Sequence, residues 1–275
     1  MRAVVVDAKG RPGIADLPEP DGGLRVLACG LCGSDLEKLA PSFAGTVLGH
    51  EVVAEADGSR VALVHHLPCG ECERCRAGHE STCERFRAPT IEPGGFAERV
   101  RVTGGSVELP GGMEDALGTY AEPLACVLRG AERIPPGDVL VVGGGFVGRL
   151  FAAALRHRGD TVHVFDTDPA RSEGDADRRF PAVVLAARAD PLPHVAPGGT
   201  VLVFAPAPAL DLDRVYRDEL TVTGSRSGTP RHLAGAVRLL PHLDVPEPVV
   251  LPLTRFEEGL ELYRSRRALK VVFTP

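Results

Sequence analysis

A continuous apolar run, Val139 to Val142, opens directly into Gly143-Gly144-Gly145-Phe146-Val147-Gly148 and then into an apolar helical pattern through Phe151, Ala154 and Leu155. A strand, a glycine turn and a helix in that order specify the first half of a parallel β-α-β unit. In such a unit Gly143 permits the tight turn after the strand, Gly145 lets a pyrophosphate approach the backbone, and Gly148 lets the helix pack on the strand. Phe146 and Val147 open the helix, where unpaired N–H groups face a phosphate. A second strand, Thr161 to Phe165, ends at Asp166, where a carboxylate accepts hydrogen bonds from ribose hydroxyls and repels a 2′-phosphate. NAD is therefore expected over NADP, with Arg171 as the neighbour that would favour the phosphate.

Further strands at Ala182 to Ala186, Thr200 to Phe204 and Leu220 to Thr223 extend the pattern to a parallel sheet. Only Thr167 to Pro181 separates Asp166 from the next strand, too little for a helix, a strand and a second helix. Pro191, Pro193 and Pro197 also oppose a long helix before Gly198. The sheet is thus expected to have lost its third strand.

The N-terminal half reads differently. From Arg2 to about Ala121 it consists of short β runs broken by turns: Ala3 to Val6, Leu24 to Ala28, Val52 to Ala56, Val61 to Val64 and Phe96 to Val102. A short helix is expected from Leu124 to Glu132, stopped by Pro135-Pro136-Gly137-Asp138. Later helices are expected at Leu233 to Leu240 and Phe256 to Arg264, with a closing strand at Leu269 to Phe273.

Cys69, Cys72, Cys75 and Cys83 lie two, two and seven residues apart in a loop carrying Gly70 and Gly78. A thiolate quartet so spaced can wrap a tetrahedral zinc locally, and four protein ligands leave no open position for a substrate, so this zinc would be structural. Seven cysteines in all, four of them clustered, disfavour a secreted disulfide framework. A net charge of −6 with interspersed signs provides no basic stripe for nucleic acid. The N-terminus has no leader pattern and no segment is apolar for long enough to span a bilayer, so a soluble, cytoplasmic chain is expected.

A second set of soft and borderline ligands lies upstream: Cys32 in Cys29-Gly30-Leu31-Cys32-Gly33-Ser34-Asp35, His50 and Glu51 in Gly49-His50-Glu51, and Glu122 in Ala121-Glu122-Pro123-Leu124. Thiolate, imidazole and carboxylate together suit zinc. At these residues the chain resembles the zinc-dependent medium-chain dehydrogenase/reductase family, in its alcohol and polyol dehydrogenase branch. The resemblance runs over essentially the whole length and includes the cysteine lobe, Gly94-Gly95-Phe96-Ala97-Glu98 and the terminal Lys270-Val271-Val272.

That resemblance implies an α/β architecture. A GroES-like, β-rich catalytic domain over residues 1–123 and 246–275 would hold two zinc sites, and a shortened Rossmann-type domain over 124–245 would bind NAD. It implies that Cys32 and His50 ligate a catalytic zinc directly, and that Glu51 is a ligand able to exchange with water or substrate. Glu122 stands where many alcohol dehydrogenases carry a cysteine, a pattern similar to the polyol, sugar and threonine dehydrogenases. Asp35 would orient the His50 ring, and Ser34 would touch the substrate oxygen and start a proton path. Glu37 occupies the position where a histidine frequently ends that path. A carboxylate with an ordinary pKa of about 4.3 matches neutral pH less well, and a relay role and a solvated surface role both stay open.

Cys29 and Cys126 are read as packed core residues, and His65, His66 and His79 as surface or turn histidines near the cysteine lobe. The implied activity is hydride transfer between an alcohol, such as a polyol or sugar, and NAD, in a homodimer or homotetramer acting on a small-molecule alcohol or carbonyl. An amino alcohol or cyclitol as substrate, or a zinc-stabilised relative with impaired cofactor binding, are the alternatives.

Overall fold

The computed structural model describes residues 1–85, 90–207 and 209–275. Two compact units divide the chain: one gathers Met1–Ala125, Gly228–Pro241 and Glu247–Pro275, the other Cys126–Ser227 and His242–Pro246.

The first unit is built on a curled, largely antiparallel sheet. Its path runs Val249–Pro252, Val271–Thr274, Leu24–Gly30, Glu51–Ala56, Ser59–Leu63 and Ser106–Glu108, while Arg99–Val102 pairs with the start of Leu24–Gly30 and with Ile91–Glu92. An N-terminal hairpin, Arg2–Val6 with Pro12–Asp16, joins it through isolated bridges at Ala3–Ala97 and Val5–Val47. Alternating strand residues such as Val26, Val52, Ala54, Val61 and Leu63 share one apolar core with Leu31 and Phe96. Phe256 of the helix Phe256–Arg264 packs between Phe96 and Phe273, with ring centroids 4.9 and 4.6 Å away. Pairs at these separations add to simple burial, which seats the helix against the C-terminal strand.

The expected strand from Phe96 is shorter, Arg99–Val102, because the Phe96 N–H donates to Leu48 O and Ala97 bridges Ala3 instead of continuing a ladder. The helix expected from Leu124 begins at Ala121, since Pro123 falls in the first turn, where a missing N–H costs nothing. The helix expected from Leu233 begins at Pro230 for the same reason, Pro being preset for the first helical position.

The second unit holds a five-stranded parallel sheet in the order Thr161–Phe165, Asp138–Val142, Phe180–Leu185, Val195–Val203, Thr221–Gly224. A full dinucleotide-binding sheet has the order 3-2-1-4-5-6; here the order is 2-1-4-5-6, so the missing element is the third strand, as the short Thr167 to Pro181 segment predicts. The exposed side of Thr161–Phe165 is not left bare. The chain turns back through Pro169–Arg171, and Glu173 exchanges two backbone hydrogen bonds with Val164, 2.8 and 2.9 Å long. Arg149 and Arg156 of the helix Phe146–Arg158 both pair with the Glu173 carboxylate. One antiparallel bridge thus occupies the edge that a parallel strand would cover. Both faces of the three central strands are buried: Leu140, Val142, Val183, Leu185 and Val201 pack with Leu192 and Leu220 on one side, while Val139, Val141 and Val184 point to the other. Among the described residues no helix is long and apolar enough to cross a membrane.

Candidate functional site

Among the described residues, two clusters of side chains able to ligate a metal form in the first unit. Cys69, Cys72, Cys75 and Cys83 bring their sulfur atoms within 4.8 Å of one another. The Cys69–Cys75 and Cys72–Cys83 sulfur separations are both 3.9 Å. A tetrahedron of thiolates about 2.3 Å from zinc has edges of about 3.8 Å, which these two separations match. The backbone supports it: Cys69 N donates to Cys83 Sγ and Cys72 N to Cys69 Sγ, each at 3.3 Å. Backbone N–H donation, from Glu71 first, lowers the Cys69 thiol to about 6, whereas burial and the neighbouring sulfurs push Cys75 up to about 12. Four thiolates cannot share this volume without a cation to offset them.

The second cluster is assembled from distant segments. Cys32, His50 and Glu51 present ligand atoms within 4.8 Å of one another. Cys32 precedes the short helix Gly33–Glu37, and His50 and Glu51 meet it because Gly30, two residues before Cys32, lies opposite Glu51 in the antiparallel pairing. Asp35, 1% exposed, ties the segments together. Its Oδ2 accepts the Cys32 N–H at 3.0 Å, and its Oδ1 accepts the Gly49 N–H at 3.3 Å and lies 3.4 Å from His50 Nδ1. That contact engages Nδ1 and leaves Nε2 as the ring nitrogen free for a metal. Burial alone would raise the Asp35 carboxyl and lower His50; their mutual attraction wins, holding Asp35 below the usual carboxylate range and His50 well above its own. Ser34 Oγ is 3.4 Å from Cys32 Sγ, and Glu37 is exposed at the end of the same short helix.

Glu122, in the first turn of the helix Ala121–Ala131, is not among the three converging groups. Its Oε1 lies 3.7 Å from His66 Nδ1. Burial opposes its ionisation, but the His66 hydrogen bond and the His50 and His66 rings outweigh that and hold the carboxyl at about 2. His65 and His66, expected as turn histidines of the cysteine lobe, sit instead beside this second cluster: the His65 ring is 4.7 Å from that of His50 and 4.2 Å from that of His66. Burial, with His50 and His66 adding to it, pushes His65 down to about 3, so its ring is neutral. Spacing could not place these two residues because the strand Ser59–Leu63 delivers them from its end. A small recess lies beside them, lined by the polar groups of His65, His66, Glu122 and Thr229 together with apolar Val64 and Leu233. His79 is exposed, Cys29 belongs to the apolar core, and Cys126 is buried outside both clusters.

One further residue, not singled out for chemistry in the sequence, reaches this site. Lys270 is 1% exposed, its Nζ donates to Leu31 O at 3.1 Å, and it forms a buried ion pair with Glu51 Oε2. Burial pushes the Glu51 carboxyl up against the pull of Lys270 and His50, with Glu122 adding to the rise.

In the second unit the glycine turn has the form its sequence predicts. Gly143 has φ +110, and a Cβ on Gly148 would stand 1.8 Å from Gly143 O, so the helix can reach the strand only with glycine there. Gly145 caps the 13-residue helix Phe146–Arg158, and the space in front of it is open. Phe146 is buried and Val147 half-buried behind it. Asp166 faces the turn: its Oδ2 accepts the Gly144 N–H at 2.7 Å, and its Oδ1 accepts the Asp168 N–H at 2.9 Å. The Arg171 backbone lies against Gly144, while its guanidinium is 3.5 Å from Asp168 Oδ2.

Comparison with known proteins agrees with this geometry. The family model of the alcohol dehydrogenase GroES-like domain matches residues 21–111. D-altritol 5-dehydrogenase of Agrobacterium fabrum is 31% identical over 283 aligned residues, covering 82% of this chain and 84% of that protein. L-galactonate-5-dehydrogenase of Escherichia coli is 26% identical, covering 91% of each. The cobalt- and zinc-bound thermostable alcohol dehydrogenase of Pyrobaculum aerophilum superposes with a TM-score of 0.85 at 22% identity, covering 100% of this chain and 99% of that one. An alignment of 283 positions that uses only 82% of a 275-residue chain leaves stretches of the relative without a counterpart here, in keeping with the lost strand. Identity at this level across most of both proteins, on a shared fold, settles the ancestry: the chain belongs to the zinc-dependent medium-chain dehydrogenase/reductase family.

Proposed function

We propose that this protein is a zinc-dependent oxidoreductase that passes hydride between NAD and a polyol, sugar or similar secondary alcohol. The convergence of Cys32, His50 and Glu51 on one point carries the reading. Cys32 and His50 would hold the metal, with Glu51 and Glu122 as carboxylates able to complete its shell, and the cysteine quartet would hold a second, structural zinc. A zinc at the first of these sites supplies Lewis acidity that lowers the pKa of a ligated hydroxyl.

The chain's own residues do the rest. Asp35 fixes the His50 tautomer, Ser34 stands beside Cys32 to accept the hydroxyl proton, and Glu37 offers an exposed acceptor at the end of that helix. Gly143, Gly145 and Gly148 shape the turn on which a pyrophosphate would rest, with the Phe146 and Val147 N–H groups facing it. Asp166 would accept from the adenosine ribose and discriminate against a 2′-phosphate, while Arg171 is engaged by Asp168. The exposed edge Thr221–Gly224, where Val222 is 39% exposed, is a route to a homodimer or homotetramer.

The test is NADH formation across a panel of hexitols, aldonates, cyclitols and amino alcohols, alongside metal analysis. Two zinc ions per chain and activity on a polyol or aldonate are expected. Cys32→Ala should retain one zinc and fall to background turnover, a loss of at least about 10³-fold if the metal supplies several kcal/mol of transition-state stabilisation. Activity that survives Cys32→Ala would remove the mechanism.

A further inference from the structure

Lys270 is an unusual residue to bury. An ammonium taken out of water is costly unless it is paired and hydrogen-bonded, and a well-packed apolar side chain usually serves the fold as well or better. Lys270 lies just before the C-terminal strand Val271–Thr274 and bonds two segments that are far away in sequence: the Leu31 carbonyl, one residue before Cys32, and the Glu51 carboxylate, one residue after His50. A single positive charge therefore touches both segments that present the second metal cluster. The fold makes room for it at Gly30, which pairs with Glu51 on one side and Val272 on the other. A Cβ at Gly30 would stand 2.0 Å from Glu51 Oε2 and 3.0 Å from Lys270 Cε.

The electrostatic consequence concerns Glu51. A carboxylate in contact with an ammonium has part of its negative charge spent, and one of its two oxygens committed. Its affinity for a neighbouring cation falls accordingly. We propose that Lys270 is the positioning residue that keeps Glu51 a displaceable rather than a fixed metal ligand, so that the remaining coordination position stays available to the substrate. This rests on the metal site proposed at Cys32 and His50. Without Lys270, the freed carboxylate would close on the metal, which would then be held more tightly and admit an incoming ligand less readily. A merely structural lysine predicts the opposite, a looser site.

The experiment uses the full chain with cobalt(II) in place of zinc and imidazole as the probe ligand, the Cys32→Ala protein supplying the spectrum of the quartet alone for subtraction. In the wild type, imidazole should shift the visible bands of the second site. In Lys270→Met the imidazole concentration needed should rise at least about tenfold, and metal release to a chelator should slow while kcat falls. Lys270→Arg, which keeps the charge, should stay near wild type. The double variant Glu51→Gln with Lys270→Met removes both charges and leaves none buried unpaired; it should respond to imidazole at least as well as the wild type. Faster metal release or an unchanged imidazole response in Lys270→Met overturns the proposal. If the Met variant does not fold, a double variant that responds more weakly than the wild type overturns it instead. A wild-type spectrum identical to that of Cys32→Ala would strike down the metal site itself, a separate failure.

Discussion

The two metal-ligating clusters of the first unit are opposites in construction. The cysteine quartet spans fifteen residues; among the described residues its cluster consists of buried Cys72, Cys75 and Cys83 with partly buried Cys69, and its supports are backbone N–H groups of the same loop. The cluster at Cys32, His50 and Glu51 draws on residues from Gly30 to Lys270, and its supports are buried charged side chains, Asp35 and Lys270, each 1% exposed. A lobe whose described residues provide no apolar cluster beyond the cysteines would depend on its ion to fold. A site braced by the surrounding sheet is built beforehand and uses the ion for chemistry.

That contrast can be broken most forcefully at the quartet. Cys75→Ser should remove one zinc per chain, a binding term on the order of 10 kcal/mol in small zinc modules, and leave residues 69–83 open to limited proteolysis. The cobalt spectrum of the second site should survive. If both sites empty together, the quartet is not an independent local module. A smaller effect is expected at the second site: Asp35→Asn should weaken its metal affinity by about 10–100-fold through loss of the charged partner of His50, measured by competition with a chelator, with the quartet unaffected. The smallest concerns Arg85, whose exposed guanidinium lies near the Cys69 sulfur and pairs with Glu71 at 2.6 Å. Exposed pairs contribute little, so Arg85→Ala should change zinc release from the quartet by less than about twofold; a larger change would show that the loop relies on surface charge as well as on its backbone.

The same contrast explains what the sequence made legible. Contiguous patterns were readable because their geometry is local: the cysteine spacing, the glycine turn and its following helix, and the lost strand betrayed by too short a segment after Asp166. The strand Thr161–Phe165 and the helix Phe256–Arg264 have the bounds their patterns predict. The two helices expected to start at Leu124 and Leu233 begin three residues earlier, with Pro123 and Pro230 in their first turns, and the strand expected from Phe96 starts later, since that apolar ring serves the core without joining a ladder. The environment of the second cluster was hidden for a different reason. His65 and His66 reach it only through the curl of the sheet, and Lys270 is 219 residues from the carboxylate it neutralises. No periodicity or spacing encodes a contact of that range.

The single bridge between Val164 and Glu173 bears on how such a chain tolerates shortening. In an open parallel sheet the functional crevice lies where the strand order reverses, here between Asp138–Val142 and Phe180–Leu185, at the interior of the array. The deleted strand belonged to the periphery. Removing it leaves the topological switch point intact and creates only one hazard, an unpaired margin able to recruit another chain. Glu173, anchored by two arginines, closes that margin with a few residues of returning backbone. The outer strand behaves as a dispensable module, and the hem that replaces it is what makes the excision safe.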